Sequence, residues 1–135
     1  MSSRRLGREY VLKALYAHEQ SRQTGNDDLK ISVIDESELD EKTLVFAHHL
    51  FEQVMKNLET IDNCITKVAQ NWKLDRIAIV DKNILRMAIC EIMYMPDIPM
   101  KVAINEAVEL AKKYSTFESA SFVNGILDKV FHEHE

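Results

Sequence analysis

The chain has 135 residues, of which 17 are Lys or Arg and 22 are Asp or Glu, so its formal net charge is -5 at pH 7. A chain of this length suits one domain and buries roughly two thirds of the surface that its unfolded state exposes. It lacks both the run of about 18 apolar residues that spans a membrane and the apolar N-terminal run of a signal peptide. Cys64 and Cys90 have neither a CxxC spacing nor the density of a disulfide framework. We therefore expect a cytoplasmic protein with reduced cysteines.

The first predicted helix, about Ser3 to Arg22, concentrates positive charge near its start. Residues 1–16 have a net charge of +3, so the remainder carries -8. The apolar stripe of this helix comprises Leu6, Tyr10, Ala14, Ala17 and, at its edge, Val11. Gly25 and Asn26 should end the helix. The acidic segment from Asp27 to Glu41 is typical of a solvated connector.

The rest of the chain also has the composition and periodicity of helices, with only three glycines and two prolines. The predicted helices run from Leu29 to Ile34, Asp40 to Leu58, Ile61 to Gln70, Ile79 to Met95, Met100 to Tyr114 and Glu118 to His132. The stretch from Ile79 is apolar nearly all round, which favours a central place in a bundle. Gly125, inside the last helix, should permit a close helix approach. The sequence thus predicts one all-α domain spanning residues 1–135, a compact bundle of six or seven helices.

Arg4, Arg5 and Arg8 form the most informative cluster. At 100° per residue they span an arc of about 100° beside the apolar stripe, so we expect them to reach outward together. Cations at a helix N-terminus oppose the macrodipole by about 0.3–1 kcal/mol each, so helix stability does not explain them. Guanidinium groups bind phosphate oxygens and stack on unpaired bases, so this turn is either a single-stranded RNA contact or a merely solvated basic end. Tyr16, on the Arg5 side, is either a partner contact or part of a second buried face.

Residues that could carry catalysis or bind a metal do not form a recognisable site. His48 and His49 are adjacent, so on a helix they point about 100° apart and cannot face one metal. His132 and His134 belong to a stretch that should fray. The sequence contains no Gly-rich phosphate loop, GxSxG elbow or HExxH pair. We expect no enzymatic activity, no cofactor and no metal.

Four segments resemble the NusB transcription antitermination family. VAINEAVELAKKY at residues 102–114 and FVNGILDKV at residues 122–130 are similar to its C-terminal signature. RRLGREYVLKALY at residues 4–16 resembles its arginine-rich first helix, and VDKNILRMAICEI at residues 80–92 its central helix. The resemblance is collinear over nearly the whole chain, and only residues 24–60 are generic.

The resemblance implies an all-α fold of two packed helical subdomains and a non-catalytic adaptor function. Family members bind the boxA element of ribosomal RNA leaders together with NusE, a small-subunit ribosomal protein that acts beside RNA polymerase. By position, the implied RNA-binding residues are Arg4, Arg5, Arg8, Lys112, Glu118 and Phe122. Asp81 and Tyr16 match the positions that face NusE.

The sequence departs from the family pattern at three places near the implied RNA surface. Gly7 replaces an alanine, which loosens the turn by about 1 kcal/mol of helix propensity. Leu6 stands where a further arginine can occur, and Ala120 and Ser121 precede Phe122 where a basic residue is expected. These changes lower the expected RNA affinity. Together with the negative net charge, they leave open the alternative of a homodimeric helical interaction module with little RNA affinity. A further alternative is the RNA-recognition region of an rRNA cytosine methyltransferase, since such enzymes also contain a NusB-like region.

Overall fold

The structure, a computed structural model, describes residues 3–24, 38–70 and 73–133, apart from the side chains of residues 23 and 24. These residues form six α-helices and a 3-10 turn at Leu74–Arg76, without a strand. The helices are α1 (Arg4–Thr24), α2 (Glu41–Lys56), α3 (Leu58–Val68), α4 (Ile79–Tyr94), α5 (Met100–Tyr114) and α6 (Phe117–Glu133). The all-α fold is confirmed. Two predictions lie outside the described residues: the end of the first helix at Gly25 and Asn26, and the helix from Leu29 to Ile34.

The chain divides into two compact units, Met1–Glu52 and Gln53–Glu135. The first contains α1 and α2 as far as Glu52, and the second contains the last turn of α2 and the four later helices. That residues 1–135 act as one RNA-binding domain stays a prediction.

Polar side chains begin both helices of the first unit. Ser3 Oγ accepts the Leu6 N–H at 3.3 Å, and Asp40 Oδ1 accepts the Thr43 N–H at 2.8 Å. Each bond satisfies a first-turn donor that has no partner within its own helix. The sequence thereby determines where α1 and α2 start.

Gly7 lies where α1 approaches α2. A Cβ added at Gly7 would stand 3.1 Å from Thr43 Cγ2 and 3.3 Å from Phe46 Cδ2. The interpretation of Gly7 as a loosening replacement is therefore incomplete, because the missing side chain also makes room for α2. Gly125 is the opposite case. An added Cβ there would meet nothing within 4 Å, so the expectation of a close helix approach at Gly125 is wrong.

In the second unit, α4 contacts α3, α5 and α6. Every residue from Asp81 to Glu91 is buried, which agrees with the central place predicted for this helix. The burial also includes polar and charged residues, which its apolar composition did not predict: Asp81, Lys82, Asn83, Arg86 and Glu91. Asp62 on α3 holds α4 through two bonds, since Arg86 Nε and Nη2 donate to its carboxylate oxygens at 2.7 and 2.9 Å. Arg86 Nη1 also donates to Asn83 Oδ1 at 3.0 Å. A bidentate pair fixes both distance and orientation, so it aligns α3 with α4.

Candidate functional site

The basic turn, Arg4 to Arg8, begins α1 in the first unit. Arg4 and Arg5 are exposed, whereas Arg8 is only 3% exposed. The expectation that all three guanidinium groups reach outward together is therefore wrong for Arg8. Arg8 is buried because α1 is buried on every side from Gly7 to Leu12, so position 8 has no outward face.

Phe46 of α2 lies beneath two of these guanidinium groups. The Arg4 Cζ is 4.8 Å from the ring centroid and the Arg8 Cζ is 5.2 Å from it. Both distances allow a cation–π attraction, worth about 0.5–1 kcal/mol at an exposed site and more where water is excluded. The ring itself is buried. Phe46 thus gathers two positive charges at the start of α1, a role that the sequence did not indicate.

Tyr16 lies farther along α1 and is 39% exposed. Its hydroxyl oxygen accepts a hydrogen bond from Gln20 Nε2 at 2.9 Å. Leu12, between Arg5 and Tyr16 on the helix surface, is buried. Of the two interpretations of Tyr16, the exposed position agrees with a partner contact, and its role toward NusE stays a prediction.

The second unit has a groove of about 300 Å³ at the start of α6. Three predicted site residues line it: Asp81, Glu118 and Phe122. The sequence had assigned Asp81 to a protein contact and the other two to RNA, whereas the fold places all three on one groove. Arg76, Thr116 and Ser119, which no sequence signal identified, also contribute polar groups to the wall. The groove therefore combines an aromatic ring, a guanidinium, two hydroxyls and two carboxylates.

Asp81 is held at this groove by α6. Ser119 Oγ donates to Asp81 Oδ2 at 2.8 Å, and Thr116 Oγ1 accepts the Ser119 N–H at 3.0 Å. Asp81 is only 6% exposed, and its Oδ1 is buried without a hydrogen-bond partner among the described residues. Burying an unsatisfied polar atom costs about 1–3 kcal/mol. Helix packing alone does not require such a carboxylate here, which favours a role connected with the groove.

Phe122 also lines a second groove, of about 260 Å³, on the other flank of α6. Val68, Ser121, Gly125 and Lys129 contribute to this groove. Because Gly125 has no side chain, the groove stays open along α6. The ring of Phe122 is thus shared by two concave surfaces, one near Arg76 and the other near Lys129.

Lys112 lies at the end of α5 and does not line either groove. It is exposed, and its Nζ is 3.4 Å from Glu109 Oε1 on the same helix. Exposed pairs of this spacing contribute a few tenths of a kcal/mol, so they exchange easily for another anion. The predicted RNA role of Lys112 therefore depends on a strand that extends beyond the groove.

Among residues 3–24, 38–70 and 73–133, no group of three His, Cys, Asp or Glu side chains could hold a metal ion. No helix in these ranges has the length and apolarity needed to cross a membrane. Burial raises the pKa of the Cys90 thiol to about 12. A thiol of this kind is inert as a nucleophile, so Cys90 is a packing residue.

Comparison with known proteins agrees with the sequence resemblance. The sequence model of the NusB family matches residues 5–132. The transcription antitermination protein NusB of Chloroherpeton thalassium is 44% identical over 131 residues, which are 97% of this chain but 62% of that protein. The chain thus spans less than two thirds of that relative. The NusB protein of Citrifermentans bemidjiense is 45% identical over 137 residues, covering 96% of this chain and 94% of its own length.

Solved structures share the fold. A structure of T. maritima NusB has a TM-score of 0.87 with 39% identity, and the match covers 98% of this chain and 93% of that one. A chain from a crystal structure of antitermination factors NusB and NusE in complex with dsRNA has a TM-score of 0.83. It is 24% identical, with 96% of each chain covered. From the family match and these relatives, the chain belongs to the NusB family.

Proposed function

We propose that this chain is a non-catalytic RNA-binding adaptor that supports antitermination of ribosomal RNA transcription together with NusE. The observation that carries the proposal is the groove at the start of α6, where Asp81, Glu118 and Phe122 converge. Unpaired RNA bases are recognised by stacking on aromatic rings and by hydrogen bonds to their edges. This groove offers both, because a ring, two carboxylates and the Arg76 guanidinium share its wall.

The basic turn supports the same function from the first unit. Arg4 and Arg5 are exposed, and Phe46 holds the Arg4 and Arg8 guanidinium groups near one ring. Two like charges held close together favour an anion beside them, and a phosphate oxygen pair matches the guanidinium fork. In this proposal the turn binds the RNA backbone, whereas the groove reads a base.

NusE is the proposed partner, on the evidence of the family relationship and of the exposed Tyr16. NusB and NusE occur together in the solved complex with dsRNA, and this chain has the fold of that NusB. Tyr16 supplies an exposed aromatic ring on α1, which is a typical anchor at a protein interface. The relatives do not favour the alternative of an interaction module without RNA function. We further propose that the adaptor acts in the cytoplasm within the RNA polymerase antitermination complex.

The test is RNA affinity as a function of salt, for the chain alone and with NusE. The logarithm of the binding constant should fall with log salt at about 0.7 per phosphate neutralised. Arg5→Ala should reduce that slope by about 0.7. Lys101→Ala is the matched control, because Lys101 is an exposed cation in the first turn of α5 and should leave the slope unchanged.

The groove is tested separately with Phe122→Leu, which keeps an apolar side chain but removes the ring. Base–aromatic stacking contributes about 1–3 kcal/mol per base, so affinity should fall at unchanged salt slope. Equal affinity for a boxA strand and a scrambled strand, with and without NusE, would contradict the proposed function. Light scattering of the chain with NusE should show a 1:1 complex, whereas a persistent homodimer that ignores NusE would favour the alternative.

A further inference from the structure

Phe117 is an aromatic side chain that the fold leaves in solvent. It is 81% exposed, the largest value among the exposed large apolar side chains of the described residues. A ring in this position contributes almost nothing to folding through burial, because the hydrophobic stabilisation scales with the area removed from water. Phe117 also has no part in the sequence-based prediction of the RNA surface.

The backbone beneath Phe117 is held in place. Thr116 precedes the helix, and its Oγ1 accepts the Ser119 N–H at 3.0 Å while its carbonyl accepts the Ala120 N–H at 3.1 Å. Ser119 Oγ in turn donates to Asp81 Oδ2 at 2.8 Å, which ties the first turn of α6 to α4. The ring is therefore presented from a fixed point on the rim of the groove and not from a loose loop.

Phe117 is continuous with that groove. Its two chain neighbours, Thr116 and Glu118, both line the groove, and so does Phe122. Five residues along an α-helix correspond to about 7.5 Å of rise and about 140° of rotation. Phe117 and Phe122 thus occupy two separate positions along α6. Phe117 lies on the rim of the groove, and Phe122 lies within it.

The surroundings of Phe117 suit a nucleobase better than a protein surface. The residues near Phe117 in sequence are mostly polar: Ser115, Thr116, Glu118 and Ser121. Large contiguous apolar patches mark protein-docking sites, whereas base stacking needs one accessible ring with cations nearby. Two exposed cations, Lys112 and Lys113, lie in the last turn of α5, just before the connection to α6.

We infer that Phe117 is a stacking platform for an unpaired RNA base next to the one held in the groove. The inference rests on the proposed function and deepens it, because it adds a second base-stacking aromatic residue to the same RNA surface. The strand would pass from the groove over the rim, with its phosphates toward the two lysines. In this arrangement Lys112 contacts the RNA although it does not line the groove.

The experiment measures the affinity of the full chain for a labelled boxA strand, with and without NusE. Phe117→Ala should weaken binding by between about fivefold and about 150-fold, at unchanged salt slope, because it removes a ring and no charge. Phe117→Tyr and Phe117→Trp should retain affinity. Val102→Ala, which trims another exposed apolar side chain of the same unit, is the control and should change nothing.

A set of RNAs, each with one abasic position, locates the base. At one position the abasic strand should weaken binding to the unaltered chain but cause no additional loss in Phe117→Ala, because the same contact is already gone. If Phe117→Ala binds RNA as well as the unaltered chain, or lowers only the affinity for NusE, the inference is wrong and the proposed function stands. If the unaltered chain does not distinguish boxA from a scrambled strand, the proposed function fails first.

Discussion

Gly7 and Gly125 allow one substitution to be tested in opposite surroundings. Both glycines lie within helices, so replacing either by Ala gains roughly 0.8–1 kcal/mol of helix propensity. At Gly125 an added Cβ meets nothing within 4 Å. The whole gain should therefore appear as stability, with a rise in Tm of roughly 2–4 °C for a chain of this size.

At Gly7 the same methyl group would stand 3.1 Å from Thr43 Cγ2 and 3.3 Å from Phe46 Cδ2. Both partners are buried, so neither can move into solvent, and overpacking of this kind costs about 1–3 kcal/mol. After the propensity gain, Gly7→Ala should be neutral to destabilising by about 2 kcal/mol. It should also lower RNA affinity, since Phe46 holds Arg4 and Arg8.

The assay is chemical and thermal unfolding of both variants, with the double variant Gly7→Ala/Thr43→Ser as the internal check. Serine lacks the Cγ2 that the new methyl group approaches most closely, so it should recover part of the stability. If Gly7→Ala stabilises the protein as much as Gly125→Ala does, α1 and α2 do not approach each other as closely as the structure has them, and the reasoning is refuted.

Three further predictions concern other parts of the chain. Asp62→Ala removes the bidentate partner of the buried Arg86 guanidinium and should destabilise the second unit by about 3 kcal/mol in urea unfolding, with partial recovery in Asp62→Ala/Arg86→Met. Phe46→Leu keeps an apolar side chain but removes the ring beneath Arg4 and Arg8, so RNA affinity should fall while the salt slope, which counts charges, stays constant. A raised thiol pKa means less thiolate at a given pH, so at pH 8 the Cys90 thiol, with a pKa of about 12, is only ~0.01% ionised and should resist iodoacetamide until the protein is unfolded. Cys64, whose pKa is raised chiefly by partial burial, should react sooner than Cys90, as mass spectrometry of the alkylated peptides would show.

Helix positions were predictable where local rules determine them. The predicted helix from Met100 to Tyr114 has the bounds observed for α5. Pro99 fixes its start, and apolar residues at intervals of three and four fix its buried face. The predicted start at Glu118 missed α6 by one residue, because Thr116 caps the helix and Phe117 is already helical. Periodicity alone does not locate such a cap.

The environment of the basic turn could not be predicted in the same way. A helical period identifies one apolar face, but it does not show which other faces are covered by neighbouring helices. Arg8 was placed outward for this reason, and Phe46 was missed because the residues above it come from α1, more than thirty positions away in sequence. The groove could not be predicted from the sequence for the same reason. Asp81 and Glu118 meet only after α4 and α6 pack together, so their shared surface has no local sequence signal.

The three arginines that looked equivalent in the sequence therefore have different physical tasks. Arg5 is exposed, so a phosphate can reach its guanidinium at little desolvation cost. Arg8 is buried, and a buried guanidinium is retained only where the surrounding structure compensates for its lost hydration, so its removal acts on folding before it acts on binding. Arg4 belongs to both cases, since it is exposed yet lies over the same ring as Arg8. A loss of RNA binding on changing all three together would confuse these tasks, whereas the salt slope and the free energy of unfolding, measured residue by residue, separate them.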